Sequence, residues 1–281
     1  MGYSTLYVPD HFGDQVGPIA SLMAAAAATT TLRIGALVFD NDYRHPVVLA
    51  KEAATLDLLS DGRLDFGLGA GWMRTDYEQS GIAYDSPGTR IDRMAEGLTI
   101  IKKYFSGDEF SFEGKHYTIQ GLKGAPLPVQ KPHPPIVIGG GGRKMLELAA
   151  READIVNVNF DLREGRPGRH AAQTGRASAT EEKLQWIRDA AGSRFDQIEL
   201  GAWTLQASIT EDRDMIAQAF APRMGMEPAD VLEIPHVLVG TVDQIVEDLE
   251  KRRERFGFSH VIVPGDAAED LAPVVERLAG N

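Results

Sequence analysis

An acid and an imidazole, Asp10 and His11, stand side by side after a short apolar stretch in the segment YSTLYVPDHFG. Histidine is the side chain whose charge changes closest to neutral pH, so His11 is a candidate general acid or base. Asp10 could orient the imidazole, or it could cap the helix that follows. A single histidine is more often structural than catalytic, so the interpretation depends on the groups that the fold brings beside it.

Four glycines in IVIGGGGRKMLELAA, residues 136–150, join a predicted strand to a predicted helix. Gly140, Gly141 and Gly142 would let a ligand approach the backbone, and a helix N-terminus offers free N–H groups to a phosphate. Arg143 and Lys144 in the first turn oppose the helix dipole, and a bound phosphate would explain them. The alternative is a glycine turn needed only for packing, with both basic side chains in solvent.

A second glycine loop lies in FGLGAGW, residues 66–72, after another predicted strand. Gly69, Ala70 and Gly71 would leave room for a flat ring to lie against the backbone. The same small residues could instead fit the taper of a barrel.

The composition excludes several classes of protein. The 281 residues carry a formal net charge of −12 and no cysteine, which argues against a nucleic-acid partner and excludes thiolate chemistry. No apolar run is long enough to span a membrane, so we expect no membrane partner. The lack of cysteine fits a cytoplasmic location, which we expect. The histidines and acids lack the spacing of a zinc site, so we predict no metal centre.

Short apolar strands alternate with helices along the chain, which predicts an α/β fold with a parallel sheet. A doubly wound sheet and a TIM (β/α)8 barrel both fit this order, and the even spread of the strands favours a single barrel domain over residues 1–281. In such a barrel the loops after the strands build the active site, which is where the groups above lie. We predict seven strands, at residues 4–8, 32–38, 64–69, 136–139, 154–158, 198–205 and 260–263.

A barrel of this type closes with eight strands, so we expect that the first βα unit is absent from the N-terminus. The alternative is that Gly2 is an ordinary N-terminal residue and does not mark the end of a missing βα unit. Two excursions interrupt the alternation. Residues 106–135 predict a β-hairpin followed by a proline-rich stretch over the barrel mouth, and residues 161–180 predict a loop, either a mobile lid or a solvated linker.

Several stretches together resemble the bacterial luciferase-like family, and more closely its branch that uses the deazaflavin coenzyme F420. They are YVPDHFG, LRIGALVFDNDYRHPVVLAKEAATLDLLSDGRLDFGLGAGW, PPIVIGGGGRKMLELAAREADIVNV and HVLVGTVDQIVEDL. The resemblance covers nearly the whole chain and implies a TIM barrel with an excursion after its fourth strand.

The resemblance also implies roles for particular residues. His11, with Asp10 beside it, matches the residue that gives or takes a proton while hydride moves. Three segments match cofactor contacts: Leu37, Val38 and Phe39, with a non-proline cis peptide at Leu37–Val38, back the ring; Gly69, Ala70 and Gly71 lie beside it; and Gly140, Gly141, Gly142 and Arg143 hold phosphate.

One departure concerns the substrate. Some deazaflavin-dependent dehydrogenases carry a glutamate where this chain has Trp72, so a flat, apolar small molecule is expected rather than a sugar phosphate. The leading hypothesis is therefore an F420-dependent oxidoreductase that transfers hydride, as a homodimer. The alternatives are an FMN-dependent monooxygenase on the same fold and a degenerate, non-catalytic binding protein.

Overall fold

A computed structural model describes residues 1–279, and the chain forms two compact units. Residues 4–139 form the N-terminal unit, and residues 1–3 together with the chain from Gly140 onward form the C-terminal unit. Each unit combines parallel strands with helices, as the sequence predicts. The single-domain interpretation of residues 1–281 and the absence of a first βα unit stay predictions.

The N-terminal unit alternates strands with helices, apart from one hairpin. Its elements are β1 (Thr5–Val8), α1 (Pro18–Ala28), β2 (Arg33–Ala36), β3 (Phe39–Asp40), α2 (Pro46–Leu59), β4 (Leu64–Gly69), α3 (Arg74–Ser80), α4 (Pro87–Ser106), β5 (Glu109–Glu113), β6 (Thr118–Lys123) and β7 (Ile136–Gly140). The strands β1, β2, β4 and β7 pair in parallel in that order, and β3 pairs with the end of β4. All six residues of β4 are buried, which is why its sequence is apolar on both faces.

Local sequence signals explain the ends of several elements. Pro46 occupies the first turn of α2, where its missing N–H costs nothing. The predicted hairpin is confirmed, since β5 and β6 are antiparallel and Glu113 pairs with Thr118. Its turn is fixed by Glu96 on α4, whose carboxylate accepts hydrogen bonds from three successive backbone N–H groups of residues 115–117.

The C-terminal unit contains a second set of parallel strands. Its elements are α5 (Arg143–Glu152), β8 (Ile155–Val158), α6 (Arg169–Thr174), α7 (Ala177–Ala191), β9 (Glu199–Trp203), β10 (Gln206–Ile209), α8 (Arg213–Met224), α9 (Pro228–Leu232), β11 (Val237–Gly240), α10 (Val242–Phe256), β12 (Phe258–Ile262) and α11 (Ala272–Leu278), with 3₁₀ turns at Gly192–Gln197 and Gly265–Ala267. The strands β8, β9 and β12 pair in parallel, and β10 pairs in parallel with β11. The predicted capping box of Thr241 and Gln244 at the start of α10 is confirmed.

Two predictions fail in this unit. Residues 161–180 are not a continuous loop, because α6 and the first turn of α7 lie within them. Ala171 and Thr180 are buried there, and this tertiary packing outweighs the glycine and arginine content that predicted a loop. The strands β10 and β11 were also not predicted. The sequence QASI of β10 is half exposed, so it lacks the apolar run that marks a buried strand.

Candidate active site

The imidazole of His11, just beyond β1, is held by a buried acid from another element. Its Nδ1 lies 2.6 Å from Oδ2 of Asp76, in the first turn of α3. The same oxygen accepts a hydrogen bond from the Tyr43 hydroxyl at 3.1 Å. The His11 side chain is 20% exposed and that of Asp76 is 6% exposed. Because a carboxylate only accepts, Nδ1 carries the proton of the neutral imidazole and Nε2 remains an acceptor.

The Tyr43 hydroxyl reinforces this arrangement. Burial, followed by the charges of Asp40 and Asp76, raises the pKa of Tyr43, so the phenol keeps its proton and donates it to Asp76. Sequence reasoning did not identify Asp76, which lies 65 positions after His11. The only sequence signal for Asp76 was its position as an acidic residue in the helix that follows the strand of FGLGAGW.

Both predictions for Asp10 are wrong. Its carboxylate binds the Arg44 guanidinium through two nitrogens and accepts the backbone N–H of Asp40 at 3.0 Å. Helix α1 has Gly17 as its N-cap, without a side-chain capping bond. Asp10 therefore joins the ends of β1 and β3, and Asp76 orients His11.

A second buried acid, Asp40, lies at the end of β3. Its carboxylate accepts from the Asp42 backbone N–H at 2.8 Å and from the Tyr77 hydroxyl at 3.3 Å. Burial, with smaller contributions from the negative charges of Asp42 and Asp10, raises the pKa of Asp40 to about 7. Asp40 therefore changes its protonation near neutral pH.

The loop after β4 is held rigidly beside this cluster. Arg90, which is 2% exposed, donates to the carbonyl oxygens of Ala70 and Gly71. Gly71 has φ +69°, and a Cβ there would overlap the Tyr77 hydroxyl, so only glycine fits. A Cβ at Gly69 would lie 2.3 Å from Val38. Protein packing thus accounts for both glycines, and cofactor contact by Gly69, Ala70 and Gly71 stays a prediction.

Trp72 follows this loop and contacts the candidate base directly. Its ring meets the His11 ring edge to face, with centroids 5.7 Å apart. Its carbonyl oxygen accepts a hydrogen bond from Tyr84 at 3.1 Å. The structure therefore brings together two of the predicted site residues, His11 and Trp72.

The segment between β2 and β3 forms a partly open apolar surface. The Leu37–Val38 peptide bond is cis, as the resemblance predicts. The side chains of Leu37 and Val38 are half-buried, whereas Phe39 is fully buried against Phe66. Of this segment, only Leu37 and Val38 offer side chains to a ligand.

The hairpin reaches the polar end of β3. The Tyr117 hydroxyl accepts a hydrogen bond from Asn41 at 3.1 Å, and its ring packs edge to face against His45 at 5.5 Å. The excursion at 106–135 is therefore anchored beside the residues that follow Asp40, at the carboxyl end of the strands.

In the C-terminal unit the glycine loop precedes α5. Gly142 is the N-cap of α5 without a side-chain capping bond, which leaves first-turn N–H groups for another acceptor. Gly141 is required by packing, because a Cβ there would lie 2.1 Å from the carbonyl oxygen of Phe160. The predicted phosphate ligand Arg143 is 66% exposed and pairs with Glu147 at 2.7 Å.

A different basic residue lies near the start of α5. The ideal Cβ position of Gly142 is 3.5 Å from Asp161, whose carboxylate pairs with Arg163. Burial acts to raise the pKa of Asp161, but the contacts with Arg163 outweigh burial and lower this pKa. The ion pair of Asp161 and Arg163 therefore lies beside the start of α5, with the Asp161 carboxylate nearest to Gly142.

The chain after β8 is fixed by a buried lysine. Lys183 is 2% exposed and donates to the carbonyl oxygens of Asn159, at 2.7 Å, and Thr174. Burial lowers the pKa of Lys183 to about 8. Asn157 on β8 is 1% exposed, and its Nδ2 has no hydrogen-bond partner. A buried N–H donor without an acceptor is uncommon and fits a ligand that carries carbonyl oxygens.

Within residues 1–279, no helix is both long and apolar enough to cross a membrane. The same residues contain no cluster of three or more histidines and acids that could hold a metal ion.

The fold and the site define a class: an α/β protein of parallel strands whose acid–base groups follow the strands. Residues 1–224 match the luciferase-like monooxygenase family, and the chain belongs to that family. The predicted resemblance is therefore confirmed at the level of the family, whose members are oxidoreductases with a flavin-type cofactor.

Solved structures share this fold at low sequence identity. A coenzyme F420-dependent tetrahydromethanopterin reductase from Methanopyrus kandleri is 19% identical with a TM-score of 0.78, and the match covers 98% of this chain and 91% of that one. An F420-dependent secondary alcohol dehydrogenase is 17% identical with a TM-score of 0.79, over 100% of this chain and 91% of that one. They confirm the α/β fold of the luciferase-like TIM barrels.

A curated relative uses the other cofactor. An FMNH2-dependent dimethylsulfone monooxygenase from Pseudomonas putida is 30% identical over 142 residues. The match covers 50% of this chain and 39% of that protein. Proteins of both cofactor types are thus similar to this chain.

Proposed function

We propose that this chain is a coenzyme F420-dependent oxidoreductase that moves a hydride between the deazaflavin and a small organic molecule. The observation that carries the proposal is the His11–Asp76 pair, with 2.6 Å between Nδ1 and Oδ2. It leaves Nε2 of a partly exposed histidine free to hold or release a proton at the end of a parallel strand.

Each unit has its own candidate contacts for a cofactor. In the N-terminal unit they are the half-buried Leu37 and Val38 and the backbone of residues 69–71. In the C-terminal unit they are the backbone of residues 140–142 and the unpartnered Nδ2 of Asn157. The apolar surface of the N-terminal unit suits a flat ring. The uncapped helix start of the C-terminal unit suits a phosphate, and its buried N–H donor suits a carbonyl oxygen. When bound, a deazaflavin carries hydride on a ring carbon that does not activate oxygen.

The remaining chemistry belongs to the side chains of this chain. Asp76 orients the imidazole and stabilises its charged form when His11 takes up a proton at Nε2. Tyr43 holds the Asp76 carboxylate in place through its hydroxyl. Trp72 packs against the imidazole, with its ring at 86° to that of His11, and so limits the movement of His11.

A second candidate function is oxygenation with reduced FMN, which the similarity to the FMNH2-dependent monooxygenase favours. His11 would keep the same role. The non-catalytic interpretation, the homodimer and the cytoplasmic location stay predictions.

The test compares His11→Ala with His45→Ala. His45 is an exposed N-cap of α2 that packs against Tyr117, so it controls for the loss of an imidazole outside the site. His11→Ala is expected to lower turnover by ~10²–10⁴ while cofactor affinity stays within a few-fold. His45→Ala should retain turnover. Unchanged turnover in His11→Ala would remove His11 from the mechanism.

A further inference from the structure

We infer that Asp40 is a positioning residue: as a neutral carboxylic acid it donates its proton to Tyr77 and so holds the loop that carries Trp72. The Trp72 ring contacts the imidazole of His11, so this loop sets the surroundings of the candidate acid–base group. The role in the reaction rests on the proposed function, whereas the proton on Asp40 and its effect on Trp72 are properties of the chain without cofactor.

The Tyr77 hydroxyl is shared between two carboxyl groups. Its oxygen lies 3.3 Å from Oδ2 of Asp40 and 3.1 Å from Oδ2 of Asp42. A phenol has one proton, so Tyr77 can donate to only one of them at a time. If both acids were ionised, one of the two contacts would hold no proton and its oxygens would repel each other. A proton on Asp40 removes this conflict, because Asp40 then donates to Tyr77 and Tyr77 donates to Asp42.

Asp40, rather than Asp42, is the acid that carries the proton. Both oxygens of Asp42 accept from the Arg93 guanidinium, at 2.7 and 2.8 Å, and this charge-assisted pair favours the carboxylate. Among the described residues, the Asp40 carboxyl group forms hydrogen bonds only with neutral groups, the Asp42 backbone N–H and the Tyr77 hydroxyl. Burial, with smaller contributions from neighbouring negative charges, raises the pKa of Asp40 to about 7.

The charges around Asp40 favour the same assignment. The ionisable groups that face it come from the segments after β1 and β3 and from α3 and α4; they are Asp10, Asp42, Tyr43, Arg44, Tyr77 and Arg93. Arg44 pairs with Asp10, and Arg93 pairs with Asp42. An ionised Asp40 is therefore a third buried carboxylate beside two arginines that already have partners, and burial makes such a charge costly.

Asp40 and Tyr77 both contact the backbone of the loop that carries Trp72. A Cβ at Gly71 would lie 1.8 Å from the Tyr77 hydroxyl oxygen and 2.5 Å from Oδ2 of Asp40. The Tyr77 side chain is fully buried, so its hydroxyl cannot move far. When Asp40 loses its proton, the repulsion is relieved by a shift of Asp40 and of the Gly71 backbone packed against it. Trp72 is the next residue and moves with that backbone.

The experiment follows Trp72 by ¹⁹F NMR in the full chain, without cofactor, labelled with 5-fluorotryptophan. The chain has three tryptophans, and Trp72→Phe assigns the signal of Trp72. In wild type this signal is expected to move in a step centred near pH 7. In Asp40→Asn it should stay near its low-pH position at every pH, because an amide donates to Tyr77 and accepts from the Asp42 N–H as a neutral acid does.

Two control variants separate this step from other titrations. Asp65→Asn should keep the step, because Asp65 is a buried acid of the same unit that pairs with Arg33. His11→Gln should also keep it, although the His11 ring contacts Trp72. The absence of a step in wild type, or a step that persists in Asp40→Asn, would overturn the inference.

Turnover tests the role of Asp40 in the reaction. At saturating cofactor, the turnover of Asp40→Asn divided by that of wild type should rise about threefold to tenfold from about pH 6 to about pH 8, the factor that one hydrogen bond contributes. A constant ratio would overturn the positioning role. A chain that shows the Trp72 step but binds neither coenzyme F420 nor FMN would refute the proposed function and support the proton on Asp40. A chain that turns over without the step would overturn the inference alone.

Discussion

Replacing Asp76 with asparagine changes the partner of His11 without changing its size. In wild type the buried carboxylate accepts from His11 Nδ1 at 2.6 Å and from Tyr43 at 3.1 Å. An amide can instead donate to Nδ1, which would move the imidazole proton to Nε2. Asp76→Asn therefore removes both the charge that stabilises a protonated His11 and the tautomer that leaves Nε2 free.

The size of the effect follows from this contact. A hydrogen bond to a charged group contributes about 1.5–3 kcal/mol, which corresponds to a loss of turnover of about 10- to 150-fold. Cofactor affinity should stay within about threefold, since Asp76 is buried behind the imidazole. Asp76→Glu, which keeps the charge, should recover part of the loss.

Two assays check this prediction. Steady-state turnover is measured at saturating cofactor, and the ¹⁵N chemical shifts of His11 are recorded in the cofactor-free protein to identify its tautomer. Asp42→Asn is the control, because Asp42 is a buried carboxylate of the same cluster that pairs with Arg93 and not with His11. Turnover within threefold of wild type in Asp76→Asn, with the Nδ1–H tautomer retained, would refute the reasoning.

Three further predictions follow from buried ionisable groups. Burial lowers the pKa of Lys183 to about 8, so above that pH the folded chain loses a proton that the unfolded chain keeps. The free energy of unfolding should therefore rise by about 2 kcal/mol from pH 8 to pH 10. Urea unfolding measures this rise, and Lys183→Met should abolish it. Burial lowers the pKa of His236 from 6.5 to about 3. As the pH falls below 6.5, the free energy of unfolding of wild type should therefore fall by roughly 1.4 kcal/mol per pH unit relative to that of His236→Asn. The same difference between the two proteins in urea unfolding at pH 5 and at pH 7 would contradict this. Burial raises the pKa of Asp40 from 3.8 to about 7, so the folded chain keeps a proton that the unfolded chain loses, and the free energy of unfolding should fall from about pH 4 to about pH 7. Asp40→Asn should therefore melt higher than wild type at pH 8, and a lower melting temperature would count against it.

Local features of the fold were predictable from the sequence. Pro46 marks the start of α2, and Thr241 with Gln244 marks that of α10, because capping depends on residues within one turn. The hairpin of β5 and β6 was predictable for the same reason. The pairing of β10 with β11 was not, since it joins segments about thirty residues apart and β10 has no buried apolar run.

The candidate site was predictable only where its groups are neighbours in sequence. The cis peptide at Leu37–Val38 lies where the resemblance places it, whereas the contact of His11 with Trp72, which are far apart in the sequence, was not predicted. The partner of His11 was assigned to its sequence neighbour Asp10, but Arg44 binds that carboxylate. Asp76 comes into contact only through the packing of α3 beside the end of β1, and no periodicity in the sequence encodes that contact.

The most direct test of the account is a thermal-shift titration of the chain with coenzyme F420 and FMN in parallel. A ligand present at 100 times its dissociation constant adds roughly 2.7 kcal/mol of stability, which shifts the melting temperature measurably. The account predicts a shift with the deazaflavin and little or none with FMN. A shift with FMN alone would contradict hydride transfer and favour oxygenation, and no shift with either would contradict a cofactor-dependent function.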